Sequence, residues 1–439
     1  MTRPDWRGQV SPHWMNRDVE LLIAARVCMS SGRALAGVLV PIYLAKIGFS
    51  GGMLGVLFAV TGVVSALLTG AVAFLSDRFG RKTFIIALPL VAAGSAVVFA
   101  LTRNTALVFA FAAAGSFGRS GGAGGGAVGP YLPAEQAYLA DSVGSTWRNS
   151  LFGRVAFASS LGALIGVGVL AWIPDAAQAI GMSELDAYRP AFIALSIVSL
   201  AAGLLPLTIS PQRVPVPKHR GGISLPQKSW PVLIKLWVVN SILGLAFGFY
   251  GPFITYWLYR RYGAGPGMVG ALYAFINVAG MFGNLGAAGA ARRLGVVKTI
   301  VVTRVVGAIL IFPMVLAPFF WLAGAVYLIR MVVMRMGMPL RQSYVMGVVP
   351  QEERAVVSGL SRLPTQATSA ATPPLAGYVF DNVSMSLPFE LGSIIQVITA
   401  GVYWMFFRNL RPPEEALRVV ETAAAPAKPK PDELGATGQ

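Results

Sequence analysis

Between residues 19 and 408 the sequence is a succession of apolar runs, most of them long enough to cross a bilayer, which takes about 20 residues. No other feature constrains the fold so strongly. In hydrocarbon every backbone N–H and C=O must find its partner within the protein, and runs of this length do so as helices. Twelve runs are read: 19–46, 51–75, 83–102, 106–141, 148–173, 189–209, 230–259, 266–290, 297–318, 320–347, 354–381 and 384–408. Most of the connections are very short, so neighbouring helices are antiparallel. Only 12% of the residues are charged, against about 25% in soluble domains. Most of the surface therefore faces lipid.

One connection is long. Ser210–Ser229 holds Pro211, Pro215, Pro217, Pro226, Arg213, Lys218, Arg220 and Lys228, and it splits six helices from six. The expected organisation is a polar tail at 1–18, a six-helix bundle at 19–209, a linker at 210–229, a second bundle at 230–408 and a disordered tail at 409–439. The opening residues, with Arg3, Arg7 and Arg17, are too polar for a signal peptide. The single cysteine, Cys28, excludes an intrachain disulfide and any multi-cysteine metal site.

The net charge is +17. One set of connections, with both tails and the linker, carries 20 Lys and Arg residues. The other carries five: Lys46, Arg103, Arg189, Arg260 and Arg261. Positive residues stay inside, so both termini and the linker are expected in the cytoplasm of a cell whose inner (plasma) membrane holds the chain. That asymmetry accounts for the basic balance without a nucleic-acid partner. The expected partners are lipid and a small-molecule solute, with a monomer as the expected state.

Between the second and third runs lies a charged knot, Ser76-Asp77-Arg78-Phe79-Gly80-Arg81-Lys82. Gly80 permits a tight turn because no Cβ opposes an unusual backbone angle. Asp77 follows a helix C-terminus, where the dipole disfavours a carboxylate, so it needs a partner. The knot resembles the Gly-x-Leu-Ala-Asp-Arg-x-Gly-Arg-Lys motif of the major facilitator superfamily of transporters. The matches are Leu75, Asp77, Arg78, Gly80, Arg81 and Lys82, with Ala73 in place of a glycine. The resemblance implies an all-α membrane protein of 12 transmembrane helices in two pseudo-symmetric six-helix bundles. It also implies a conformational latch at Asp77, Arg78, Gly80, Arg81 and Lys82.

The two halves repeat. Glu135-Gln136-Ala137-Tyr138 aligns with Arg341-Gln342-Ser343-Tyr344 at a shift of 206, which also pairs Arg148 with Arg354 and Gly153 with Gly359. Arg293-Leu294-Gly295 echoes the knot, with Arg292 where the acid would stand.

Arginine inside a bilayer is costly and usually faces a wet cavity. Arg33 and Arg119 sit about 20 Å into their runs and Arg330 about 15 Å, at 1.5 Å per residue. In the superfamily the first, fourth, seventh and tenth helices line the substrate path. Arg33, Arg119 and Arg330 fall on three of these, and the seventh offers Asn240 and Tyr250. The competing reading of the arginines is a structural link to backbone carbonyls or a tyrosine. Arg154, Arg304, Arg341, Arg362 and Lys235 lie near the cytoplasmic end and are expected to snorkel to the interface. Eight glycines between Gly115 and Gly129 imply either tight packing or a broken helix beside the cavity.

The absences narrow the function. His13 and His219 lie outside the membrane runs, and no acid lies near mid-membrane. Glu135 is then the best candidate for proton coupling. No Walker motif, catalytic triad or metal-ligand set occurs, so no enzyme activity, cofactor or metal is expected. The expected function is secondary active transport of a small anionic organic solute by alternating access. The alternatives are a proton-coupled efflux pump for amphiphilic drugs and, more remotely, a non-transporting membrane sensor or scaffold.

Overall fold

The computed structural model describes residues 15–117, 129–143, 147–211, 228–350 and 353–409. Each apolar run contributes helix. The first three spans are Arg17–Lys46, Gly51–Phe79 and Arg81–Leu101. The fourth comes in two pieces, Thr105–Ala114 and Leu132–Ser142, the second entered through a 3-10 turn at Gly129–Tyr131. The fifth is Arg148–Gly168 with Ile173–Ala179, and the sixth is Tyr188–Leu204. The seventh is Trp230–Tyr250 with Ile254–Tyr262, and the eighth is Pro266–Leu294. The ninth is Val296–Ile309 with Ile311–Leu316, and the tenth is Phe320–Val348. The eleventh is split into Arg354–Leu360, Leu363–Ala371 and Pro373–Asn382, and the twelfth is Leu387–Phe407. The breaks in the eleventh fall where Pro364 and Pro373 remove backbone donors.

Local chemistry sets several starts. The side chains of Asn16, Ser50 and Asn104 accept from backbone N–H groups in the first turns of spans one, two and four. Gly80 takes φ 90° and Gly295 takes φ 81°, each between two long helices. The echo of the knot is thus a repeat in backbone conformation, at positions where a side chain would be strained.

Spans one to six pack mainly on one another, as do spans seven to twelve. Spans one and five approach closely. A Cβ at Gly162 would lie 2.2 Å from the Val27 carbonyl oxygen, and one at Gly166 would lie 2.2 Å from that of Ser31. Small residues four apart let two backbones touch, the main source of helix affinity in lipid.

The apolar core has a consequence for access. One cluster crosses both bundles, joining Leu35, Leu39 and Phe58 to Phe253, Trp257 and Phe380. The ends nearer the termini have two separate cores. Val19, Leu22, Ile85 and Leu151 belong to one, and Leu233, Leu236, Ile300 and Phe407 to the other. The bundles are therefore fused at the face away from the termini and independent at the terminal face. Ile193, Ile197, Leu200 and Leu204 form an exposed apolar stripe on span six, at helical spacing. Such a stripe is at home against lipid.

Candidate functional site

Arg33 is buried within the first span, in which every residue from Met29 to Leu44 is buried. Its Nη1 donates to the carbonyl oxygen of Ser116 at 2.6 Å. Ser116 follows the stop at Ala114 and has φ 53°, unusual for a residue with a side chain. Gly129 resumes the chain at φ 60°, and a Cβ there would lie 3.1 Å from Arg33 Nη2. The interrupted fourth span thus frees a carbonyl at membrane depth, and Arg33 satisfies it. Its Nε has no partner among the described residues. Arg119, expected beside it, lies outside the described residues.

Arg330 is 2% exposed and uses neutral partners only. Nε donates to the Gly307 carbonyl oxygen at 2.9 Å, and Nη2 reaches Gln396 Oε1 at 3.4 Å. The guanidinium carbon lies 4.6 Å from the centre of the Tyr250 ring, a cation–π contact. The Tyr250 hydroxyl donates to Gln396 Oε1 at 2.9 Å. The structure therefore brings the candidates Arg330 and Tyr250 together, through the carbonyl and tyrosine contacts that the competing structural reading expects. Asn240 stands apart from them, with its amide spent on the Ser361 carbonyl oxygen and on Arg341.

A polar line joins the two bundles one turn beyond Arg33. Thr255 Oγ1 lies 3.2 Å from the Gly37 carbonyl oxygen and 2.8 Å from the Tyr273 hydroxyl. The Tyr273 ring neighbours that of Tyr327, which lies 6.0 Å from Arg330. Arg335 donates to Asn277 Oδ1 at 3.0 Å.

Glu135 has a partner that sequence reasoning did not assign. Arg26 Nη1 bonds Glu135 Oε2 at 2.5 Å, and Arg26 Nε donates to Ser159 Oγ at 3.2 Å. Among the described residues Glu135 is the only buried acid. The signal was available: Arg26 lies seven residues before Arg33, two turns along the same face. The second bundle holds the counterpart, with Arg341 at the position of Glu135 and Thr365 at that of Ser159. Arg341 bonds Asn240, and Thr365 Oγ1 donates to the Asn240 carbonyl oxygen at 3.1 Å. The first bundle has an ion pair there, and in the second Arg341 meets no acid among the described residues. Snorkelling fails for two residues. Arg304 is 7% exposed, and Arg341 turns inward to Asn240, because polar groups of spans seven and twelve await them in the bundle.

The knot ties the second and third spans to others of its own bundle. Arg81 bonds Asp141 Oδ2 at 2.5 Å and the Ala137 carbonyl oxygen at 2.8 Å. Lys82 Nζ donates to the Ile209 carbonyl oxygen at 2.7 Å. Arg78 is exposed, and the Asp77 side chain lies outside the described part. The repeat also recurs as geometry. The Tyr138 hydroxyl donates to the Ser210 carbonyl oxygen, and that of Tyr344 to the Phe407 carbonyl oxygen. Each ties its bundle's fourth helix to the end of its sixth.

A sequence profile of the Major Facilitator Superfamily matches residues 22–364 and again 236–434. The chain belongs to this superfamily. It is accordingly a multi-pass integral membrane protein of a transporter family, not an enzyme family. No curated protein matches the sequence. Among solved structures it resembles a bacterial homologue of the human lysosomal transporter Spinster in an inward-facing, unoccupied conformation. The TM-score is 0.69 at 14% identity, covering 91% of this chain and 98% of that one. The nucleoside transporter NupG gives 0.66 at 14%, covering 90% and 100%. The inward-open xylose transporter XylE from E. coli gives 0.65 at 14%, covering 92% and 100%. At such identities the likeness concerns the fold of this superfamily member.

Proposed function

We propose that this protein is a secondary transporter that moves a small anionic organic solute across the cytoplasmic membrane by alternating access. One observation carries the substrate class: Arg33 and Arg330 are buried at membrane depth, and neither meets a carboxylate among the described residues. Carbonyls and a tyrosine face satisfy some of their donors but do not cancel the charge. An unmatched buried charge is expensive, and a solute carboxylate or phosphate would relieve it through the guanidinium fork. Arg33 sits at a broken helix, and Arg330 on a Tyr250–Gln396 platform, so both can shift toward a ligand. Arg119 is proposed as a third contributor, and Asn240 as a support for the seventh span near the site.

The bundles are independent at the terminal face and fused at the other, which is one of the two states alternating access requires. With the termini cytoplasmic, as the charge asymmetry supports, this is the inward-facing state.

Counterflow in proteoliposomes tests the reading. Vesicles loaded with one organic anion should accumulate its labelled form, and neutral esters should not compete. Exchange of amphiphilic cations instead would replace the anion reading with drug export, and no exchange of any solute would favour a scaffold.

A further inference from the structure

The second bundle contains a charge problem that the transport path does not resolve. Arg304, on span nine, is over nine-tenths buried, and its Nη1 has no partner among the described residues. Its guanidinium lies 5.8 Å from the centre of the Tyr403 ring, on span twelve. The Tyr403 hydroxyl is itself buried and unpartnered, on a residue of 0% exposure. Arg341, on span ten, lies one turn before Tyr344, whose ring stands 6.5 Å from that of Tyr403, so a second cation belongs to the same region. No acid answers them: among the described residues of this bundle Glu353, Asp381 and Glu390 belong to the ends of helices, and none is buried.

Two buried donors without a partner among the described residues, a guanidinium N–H and a phenol O–H, thus lie in one bundle with a second guanidinium nearby. Buried donors without partners are rare, and buried like charges without a counter-ion rarer still. The other bundle handles the related position by pairing Arg26 with Glu135. Arg341 stands where that acid would be, and among the described residues of this bundle no buried acid replaces it, so an anion from outside the chain would balance the charge.

We propose that the second bundle holds a small monovalent inorganic anion, of the halide class, between Arg304, Arg341 and Tyr403. Phe407 packs against Tyr403 at 4.7 Å between ring centres. A monovalent ion costs less to dehydrate than a divalent one, which suits such a place. A bulky carboxylate would need the helices to part. The ion is a resident of the bundle, whichever solute the protein carries.

The test uses the purified full-length protein in detergent, exchanged into a bulky sulfonate buffer and titrated with sodium chloride at constant ionic strength. Thermal unfolding and chloride-35 NMR line width are both read. The wild type should show a saturable rise in Tm and saturable line broadening. Arg304→Gln should remove both dependences, and Tyr403→Phe, which keeps the ring, should weaken chloride affinity at least tenfold. Arg330→Gln should leave both intact, which separates this site from the proposed solute site. Absence of saturation in the wild type, or the same chloride response in Arg304→Gln, overturns the proposal. Stabilisation by acetate but not by chloride also overturns it, because the site would then take a carboxylate. If Arg304→Gln does not fold, Tyr403→Phe alone decides.

Discussion

Asp175 and Asp381 stand 206 residues apart and perform the same act in opposite directions across the bundle interface. Asp175, at the end of span five, accepts the Gly267 N–H at 2.7 Å, in the first turn of span eight. Asp381, at the end of span eleven, accepts the N–H groups of Gly51 and Gly52 at 2.9 and 2.7 Å, in the first turn of span two. Each carboxylate satisfies orphan donors and lies at the positive end of a helix dipole in the other bundle. The two caps hold the face away from the termini closed.

Together such caps are worth on the order of 2 kcal/mol, or about a thirtyfold shift in population. Asp175→Asn with Asp381→Asn should therefore favour opening of that face. Spin labels at Ile180 and Val383, in a Cys28→Ser background, should show a longer distance in the double variant. An unchanged distance distribution would mean that apolar packing alone holds the closure.

The Arg26–Glu135 pair should be costly to break and cheap to replace. Arg26→Met alone leaves a buried carboxylate unmatched and should cost about 3–5 kcal/mol. Arg26→Met with Glu135→Met should recover most of that in a thermal melt. Glu135→Gln tests proton coupling: counterflow should survive while accumulation driven by a pH gradient is lost. Loss of counterflow as well would make the glutamate structural.

In the knot, Asp77→Asn should leave expression intact and slow transport, since a bias of about 1–3 kcal/mol between states changes populations tenfold or more. Arg81→Ala, which removes the links to Asp141 and Ala137, should do the same and lower Tm. Wild-type rates in Asp77→Asn would reduce that aspartate to a turn residue.

Much of this was legible because the bilayer leaves few solutions. Run lengths fixed the spans, and the shift of 206 exposed the repeat through Glu135 and Arg341. The same shift relates Asp175 to Asp381, but isolated acids at helix ends do not stand out in sequence. Their meaning comes from which helix starts opposite them. Snorkelling was a fair expectation for Arg304, whose depth permits it. Only the direction of its side chain, toward Tyr403 and away from the interface, decides otherwise. The break in span four was one of two readings of its glycines. The helix stops at Ala114, and Arg33 bonds the Ser116 carbonyl oxygen; residues 118–128, with six of the eight glycines, lie outside the described residues.

The central claim is that buried, unmatched arginines select an anion. Its most direct test is calorimetric binding to the purified protein of a carboxylate solute found by counterflow, its methyl ester and its amine analogue. The wild type should bind the carboxylate at least tenfold more tightly than either analogue. Arg33→Lys should weaken that binding, because it keeps the charge and loses the fork, and Arg33→Ala and Arg330→Gln should erase the preference. Equal binding of all three compounds, with Arg33→Ala and Arg330→Gln unaffected, would contradict the account and leave the arginines as struts for a broken helix.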